Sequence, residues 1–416
     1  MHIVIVALGS AGDVFPFISI GQVLRQRGHE VELLAASAYQ KSVESAGLGF
    51  VSACSQEQLD DMVADAALWH PRTGFAALWG HLGKMLPSSY ALLLERLRPD
   101  TILVASSLAL NARLAQETLG LKLATVHLAP SFFFSAQDPA TRGGLTWLGA
   151  LPAWAVRRIL SLIESQLLDP MICADLDALR ATLALAPVRQ VFSRWLHSPQ
   201  RVICAFPAWF AAPQSDWPAN TVCTAFPRLA ARPGETLGAH LLRFIDAGPA
   251  PIAFTPGSVM AHGRQFFQRA IAATEALGRR AVLVTPYRDQ LPERLPAFIH
   301  HESYAPFDLL APRMAAFVHH GGIGTSAKVL AAGTPQLITP FAFDQPDNAA
   351  RLKKLGVAAI LAPQASVSQW VRALTGLLQQ PRPACTKLAA DMARERPAPE
   401  QIADLIEELA DAPLFQ

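Results

Sequence analysis

His320, the glycines at 321, 322 and 324, and Thr325 stand between a short apolar run and a segment of helical periodicity. Ala315–Val318 reads as a buried strand, and Thr325 to Ala332 places Ala327, Val329, Leu330 and Ala331 on or near one helical face. A strand feeding a glycine-rich turn into a helix leaves helix-start N–H groups pointing outward, with the positive end of the helix dipole behind them. Without Cβ atoms an anion can approach that backbone closely, so the chemistry is phosphate binding. His320 can donate a hydrogen bond to a phosphate oxygen, and Thr325 adds a hydroxyl in the first turn. Beyond a second apolar strand, Gln336–Thr339, come Pro340 and then Asp344 and Gln345 in a polar loop. A carboxylate beside a carboxamide offers the acceptors and donors that adjacent sugar hydroxyls need, although Asp344 has a second reading as the cap of a helix ending at Leu355. The turn at 255–260, with Thr255, Gly257 and Ser258, is a further source of N–H and hydroxyl donors to a diphosphate.

The elements that must position these groups form two series. The first half opens with strand Ile3–Leu8, the turn 9–16, a helix ending near Arg27 and strand Val31–Ala35, a βαβ beginning. Further strands are expected at Thr101–Ala105, Lys122–Val126 and Arg201–Ala205, with helices near 38–46, 84–97 and 107–118. This alternation predicts a doubly wound parallel sheet, with a ligand cleft beyond the carboxyl ends of its strands. Ser10–Phe15, Ser106-Ser107 and the loop 127–143 then surround the cleft. A dinucleotide fingerprint is absent: Gly9 and Gly12 are three apart and no third glycine follows. Asp13, at the start of the first helix, suits a helix cap.

The block 206–220, dense in proline and aromatics, reads as the linker between residues 1–215 and 216–396. The second domain would open with Thr221–Thr224 and hold strands Pro251–Thr255, Ala281–Thr285, Ala315–Val318 and Gln336–Thr339. Residues 397–416 contain an amphipathic helical pattern.

Composition excludes several classes. Half of the 416 residues are hydrophobic and 16% are charged, so the chain is globular. A formal charge of +2 gives no reason to expect nucleic acid. Five cysteines scattered along the sequence without a CxxC pair suit a reduced, cytoplasmic setting. The first residues lack a basic leader, and no apolar run is long enough to span a bilayer. His300-His301 are adjacent and would point to opposite faces of a strand, so no metal site is expected there. His319 reads as a structural neighbour of His320. The apolar stretch 145–168, carrying Arg157-Arg158, has three readings: a buried helix closing the domain, a membrane-surface helix, or a wall of a greasy acceptor pocket.

The ordered set His320-Gly321-Gly322, Thr325, Gly333-Thr334-Pro335, Pro340, Asp344-Gln345 and Asn348 resembles the nucleotide-sugar signature of family 1 glycosyltransferases. That resemblance implies the GT-B fold, two facing Rossmann-like domains with the cleft between them, and a last helix that crosses back to the first domain. It also implies that Tyr304, followed by Ala305, stacks on the nucleotide base. Phe307 departs from the family, which often has Gln at that place. Many members carry Gly-His-x-x-Pro in the first domain, the histidine deprotonating the acceptor. Here Gly12-Asp13-Val14-Phe15-Pro16 puts a carboxylate there, a variant shared by relatives acting on lipids, sterols and glycopeptides. The resemblance thus makes Asp13 the base, beside its reading as a cap. Ser10 and Gly12 join the donor set, and Phe15, Trp79, Ser107 and Phe132 are the acceptor-pocket candidates.

A narrower resemblance, to rhamnosyltransferases of bacterial rhamnolipid synthesis, rests on Ser10–Ile18, Leu68-Trp69-His70-Pro71, His197-Ser198-Pro199-Gln200, Phe206–Ala211 and Asp216-Trp217-Pro218. It implies dTDP-L-rhamnose as donor substrate, no other cofactor, and a 3-(3-hydroxyalkanoyloxy)alkanoic acid acceptor. It leaves room for peripheral association with the inner membrane or a partner acyltransferase. The expected reaction is a metal-independent single displacement with inversion. The rival classes are another lipid, sterol or natural-product glycosyltransferase, a nucleotide-sugar epimerase of the same architecture, and a non-catalytic binding partner.

Overall fold

The computed structural model describes residues 1–141, 145–228, 235–379 and 382–411, so Arg142 and Gly143 of the expected cleft loop lie outside the described residues. The chain divides into two compact α/β units: Met1–Leu229 with Arg396–Gln416, and Ala230–Glu395.

The first unit is built on strands β1 (His2–Val6), β2 (Glu30–Ala36), β3 (Gly49–Cys54), β4 (Ile102–Ser106), β5 (Lys122–His127), β6 (Arg201–Cys204) and β7 (Thr221–Cys223). They form one sheet in the order β3-β2-β1-β4-β5-β6-β7, parallel throughout. Every residue of β1 and β4 is buried, as a parallel sheet covered on both faces by helices requires. The order reverses between β1 and β4, and at such a switch point the loops after the two strands part and leave a crevice. Here the backbone N–H of Leu8, after β1, donates to Ser106 Oγ at the end of β4 (3.2 Å).

The helix Ala398–Asp411 is also part of this unit. Arg27 Nη1 lies 2.6 Å from Glu407 and 2.8 Å from Asp404, and His29 Nε2 lies 2.7 Å from Glu407.

The second unit holds β8 (Ile252–Thr255), β9 (Ala281–Val284), β10 (Ile299–Glu302), β11 (Ala316–His319), β12 (Gln336–Ile338) and β13 (Ala358–Ile360), in the order β10-β9-β8-β11-β12-β13. All pairs are parallel, and the switch point falls between β8 and β11. Phe254, Phe266 and Trp370 fill its core on one side, and Phe317 with Phe307 packs the other.

Four expectations need correction. Thr221–Cys223 does not open the second unit; it pairs with β6 as the edge of the first sheet. The block 206–220 is packed rather than linking, because Phe206, Phe210 and Trp217 are buried and Asp216 accepts from Ser135 Oγ and Ala136 N (both 2.7 Å). Aromatic density marks core, whereas linkers expose polar residues. The helix after β1 begins at Ala11, inside the expected turn, with Ser10 as its N-cap. The 145–168 stretch is not a buried helix: Thr146–Ala150 is a 3-10 turn, and in the helix Ala153–Ile163 only Val156 is buried. Strands β3, β10 and β13, all at or near sheet edges, lack the apolar runs that mark the central strands. Cys204 and Cys223, distant in sequence, are register partners across β6 and β7 as free thiols.

Candidate active site

In the second unit the loops after β8 and β11, the two strands at the switch point, meet at one imidazole. His320 follows β11, and a Cβ on Gly257, after β8, would lie 3.1 Å from His320 Cε1. A Cβ on Gly322 would run into His320 Nε2 from the other side. Both glycines are therefore needed for the ring to sit where it does, and Gly257 also holds φ +108°. Burial, and then the neighbouring His319, push the His320 pKa down to about 3, so the ring is neutral. His320 Nδ1 is buried without a hydrogen-bond partner among the described residues. A neutral imidazole between two glycine loops is a hydrogen-bonding group rather than a counter-ion.

His319 has a different task. Its Nε2 donates to Gln336 Oε1 (2.8 Å) and its Nδ1 accepts from Gly321 N–H (3.1 Å), which fixes the tautomer and pins the turn. Gly321 sits at φ +93°, where a Cβ would come within 2.8 Å of Ile338 Cγ2. The helix Ile323–Ala331 starts immediately after Gly322, two residues earlier than the periodicity suggests, so Gly324 and Thr325 lie in its first turn. A Cβ on Gly324 would meet nothing within 4 Å, leaving the helix start open to an anion. Thr255, at the end of β8, uses its Oγ1 to accept from Gly257 N–H (3.3 Å), and Ser258 follows on the same turn.

Asp344 occupies the N-cap position of the helix Gln345–Lys354 without a side-chain cap hydrogen bond. Asn348 Nδ2 bridges Asp344 Oδ2 (2.7 Å) and the Gly321 carbonyl (3.0 Å), tying this loop to the phosphate-type turn. Phe343 is held at φ +60°, a left-handed conformation that costs a non-glycine residue roughly 1 kcal/mol or more. Gln345 behaves differently from the expected sugar contact. It is buried, and its Oε1 accepts from Phe341 N (2.8 Å) and Ala342 N (3.1 Å). Tyr304 is 65% exposed after β10, beside the buried Ala305. Phe307, in the place where Gln is common, packs edge-on against Phe317.

In the first unit Asp13 lies at the third position of the helix Ala11–Gln26. Its Oδ2 accepts from Ser10 N–H (2.8 Å) and Ser10 Oγ–H (2.9 Å). Burial raises the carboxyl pKa above its ordinary value, against the lowering effect of both Ser10 bonds. The cap therefore does not cost Asp13 its basicity; the surrounding protein increases it. Gly12 is exposed, and a Cβ there would meet only Ser10 Oγ at 3.6 Å. Phe15 packs edge-on against Tyr39.

Of the acceptor candidates, Trp79 is buried, with Nε1 donating to Asp175 (2.9 Å). Together with Leu8, Leu82, Met85, Leu86 and Leu108 it lines an apolar cavity of about 30 Å³. Ser107 and Phe132 converge elsewhere, on a feature that sequence reasoning missed. Ser107 Oγ is 2.9 Å from His127 Nδ1, and His127 Nε2 is 2.9 Å from His197 Nδ1. Burial, and then His197, hold the His127 pKa well below its ordinary value; burial brings His197 to about 4 against a backbone bond at Phe192. Phe132 stacks on His127 and Phe133 on His197. These are neutral rings that orient a hydroxyl. Their only sequence signal is a histidine closing an apolar strand.

His300 pairs with Glu302 and His301 with the Thr285 carbonyl, so the two rings do not share a site. His2, Glu30 and Glu32 lie close enough to hold a cation, but at the amino ends of β1 and β2, where Arg98 already grips both Glu30 oxygens.

Residues 3–132 match the Glycosyltransferase family 28 N-terminal domain, and residues 279–409 match the Erythromycin biosynthesis protein CIII-like, C-terminal domain. The chain is 29% identical over 394 residues to O-mycaminosyltylonolide 6-deoxyallosyltransferase of Streptomyces fradiae, covering 89% of this chain and 87% of that protein. Its fold is that of the glycosyltransferase of kitacinnamycin (TM-score 0.71, 21% identity, 98% of each chain). The same GT-B fold is found in the spinosyn rhamnosyltransferase SpnG complexed with thymidine diphosphate (TM-score 0.68, 18% identity, 98% of this chain and 100% of that one).

Proposed function

We propose, for a chain that is a glycosyltransferase of the GT-B fold using a nucleotide-sugar donor, that the sugar is L-rhamnose from dTDP-L-rhamnose. In this reading the acceptor is the hydroxyl of a 3-(3-hydroxyalkanoyloxy)alkanoic acid and the product a mono-rhamnolipid. The observation that carries the transfer chemistry is Asp13, a helix-start carboxylate whose basicity burial raises while two Ser10 bonds fix its position. Rhamnose draws support from the spinosyn rhamnosyltransferase of the same fold.

The diphosphate lies against the start of the helix Ile323–Ala331, with donors from the Gly321–Thr325 turn, Thr325, Ser258 and the neutral His320. Tyr304 covers the base and Asp344 takes sugar hydroxyls, while Gln345 holds the loop that presents Asp344. Asp13 takes the acceptor proton as that oxygen bonds to the anomeric carbon from the side opposite the diphosphate. The anomeric C–O bond breaks, its electron pair leaves with the diphosphate, and the configuration inverts. Fixed dipoles aimed at the departing charge lower the barrier without reorganising.

A second reading keeps the same chemistry with a natural-product or sterol acceptor. It is favoured by the likeness to the deoxyallosyltransferase and by a 24% identical sterol 3-beta-glucosyltransferase of Candida albicans, of which the match covers 24%. The test is mass spectrometry of products from purified protein given dTDP-L-rhamnose and other nucleotide sugars with hydroxy-lipids, sterols and macrolide aglycones. Rhamnosylated hydroxy-lipid is the expected product. Turnover only with a ring-system acceptor selects the second reading, and a changed sugar with donor alone identifies an epimerase.

A further inference from the structure

Among the described residues, five of the eleven most solvent-open large hydrophobic side chains fall in one short segment: Trp147, Leu151, Trp154, Leu162 and Leu167. Trp154 is 68% exposed, Leu162 60%, Leu167 58% and Trp147 50%. Scattered singly such residues need no explanation, but a cluster does. Leu151, Trp154, Arg158 and Leu162 recur at helical spacing along Ala153–Ile163 and its entry, so they share one outward stripe, with Arg157 beside it.

Charge on this face is one-sided. Residues 146–163 contain two arginines, both exposed, and no acidic residue. The first acids that follow are turned into the fold. Glu164 is buried and accepts from Ser193 N (2.7 Å) and Ser193 Oγ (2.5 Å). Asp169 is buried and accepts from Gln190 N (2.8 Å) and Val191 N (3.1 Å). These bonds fasten the segment from inside, and the face left outside is apolar and positive.

We propose that the outer face of residues 146–167 docks on an anionic lipid bilayer, lying in the interfacial plane. Tryptophans seat at the headgroup level, leucines enter the acyl boundary and the arginines meet lipid phosphates, the division of labour of an interfacial amphipathic helix. No helix among the described residues is long and apolar enough to cross a membrane, so this is contact from one side. The assignment does not depend on the identity of the sugar or the acceptor.

The test is flotation of the full chain with phosphatidylglycerol–phosphatidylcholine vesicles against phosphatidylcholine alone. Binding to the anionic vesicles, falling with added salt, is expected. The double variant Arg157→Gln/Arg158→Gln should lose roughly thirtyfold in vesicle affinity, about fivefold for each charge. Trp154→Ala should weaken binding with no change in melting temperature, since its side chain supports nothing inside. Absence of binding to anionic vesicles overturns the proposal, as does binding that both variants leave intact. A self-association measured by light scattering that Trp154→Ala abolishes, without vesicle binding, would assign the face to a second copy of the chain instead. None of these readouts uses glycosyl transfer, so they stand or fall apart from the proposed activity.

Discussion

Gly9 and Asp13 fit against each other across the first turn of the helix Ala11–Gln26. Gly9 adopts φ +132°, and a Cβ there would lie 2.7 Å from Asp13 Cγ and 2.8 Å from Asp13 Cβ. The carboxylate can lie over the strand-to-helix turn and accept both Ser10 bonds only because residue 9 has no side chain.

Gly9→Ala should therefore displace the carboxylate while leaving the second unit untouched. The expected result is a fall in kcat of up to about a hundredfold, the cost of misplacing a reacting group by an ångström. Donor affinity, measured by calorimetry, should stay at the wild-type value. Unchanged kcat would show that the position of Asp13 is not used.

Asp13→Asn keeps an acceptor for the Ser10 N–H, because the amide Oδ1 can take the place of the carboxylate oxygen, but removes basicity. Turnover should drop by about 10²–10⁴, and wild-type kcat/KM, which reports the free enzyme, should decline on acidification through a pKa above the ordinary Asp value of about 3.9. Stability moves the other way. A carboxyl whose pKa is raised by folding disfavours the fold when ionised; that cost is complete above the folded pKa and disappears below the unfolded one. The variant should thus melt no lower than wild type at neutral pH, any advantage vanishing in acid. A folded variant retaining near-normal turnover would remove Asp13 from the mechanism.

His320 carries no charge above its pKa of about 3. Nucleotide-sugar affinity, followed by calorimetry between mildly acidic and mildly alkaline pH, should show no histidine inflection from it; the diester diphosphate of the ligand does not titrate there either. His320→Ala should weaken binding roughly ten- to a hundredfold, the value of a hydrogen bond to a charged group. Wild-type affinity in that variant would sink the phosphate assignment.

Gln345 separates a loop-holding role from a sugar contact. Gln345→Ala leaves the Phe341 and Ala342 N–H groups without their acceptor and should cost about 1–3 kcal/mol in a denaturant titration. Gln345→Glu retains the acceptor oxygen and should recover most of that loss. A Gln345→Ala protein as stable as wild type yet unable to hold donor would restore the sugar contact.

The glycine turn after β11 was legible in the sequence because its geometry is local. His320, the glycines and Thr325 act through backbone that their own spacing shapes, and the central strands announce themselves as apolar runs because both faces are buried. Edge strands escaped since Gly49–Cys54, Ile299–Glu302 and Ala358–Ile360 are only half covered, and pairing rather than composition makes them strands. The aromatic block 206–220 misled for the opposite reason: prolines broke its periodicity, while Phe206 and Trp217 drew it into the core.

By itself, then, the sequence determined two parallel-sheet α/β units, the phosphate-type turn and a carboxylate at the head of the first helix, all consequences of near-neighbour spacing. Tertiary structure decided everything that depends on distant residues meeting. It raised the Asp13 pKa by enclosing it, joined Ser107, His127 and His197 from three separate segments, and turned Gln345 inward. It left Trp154 in solvent, and it gave β7 to the first unit. Burial and pairing are set by what packs alongside, and no local pattern of residues specifies that partner.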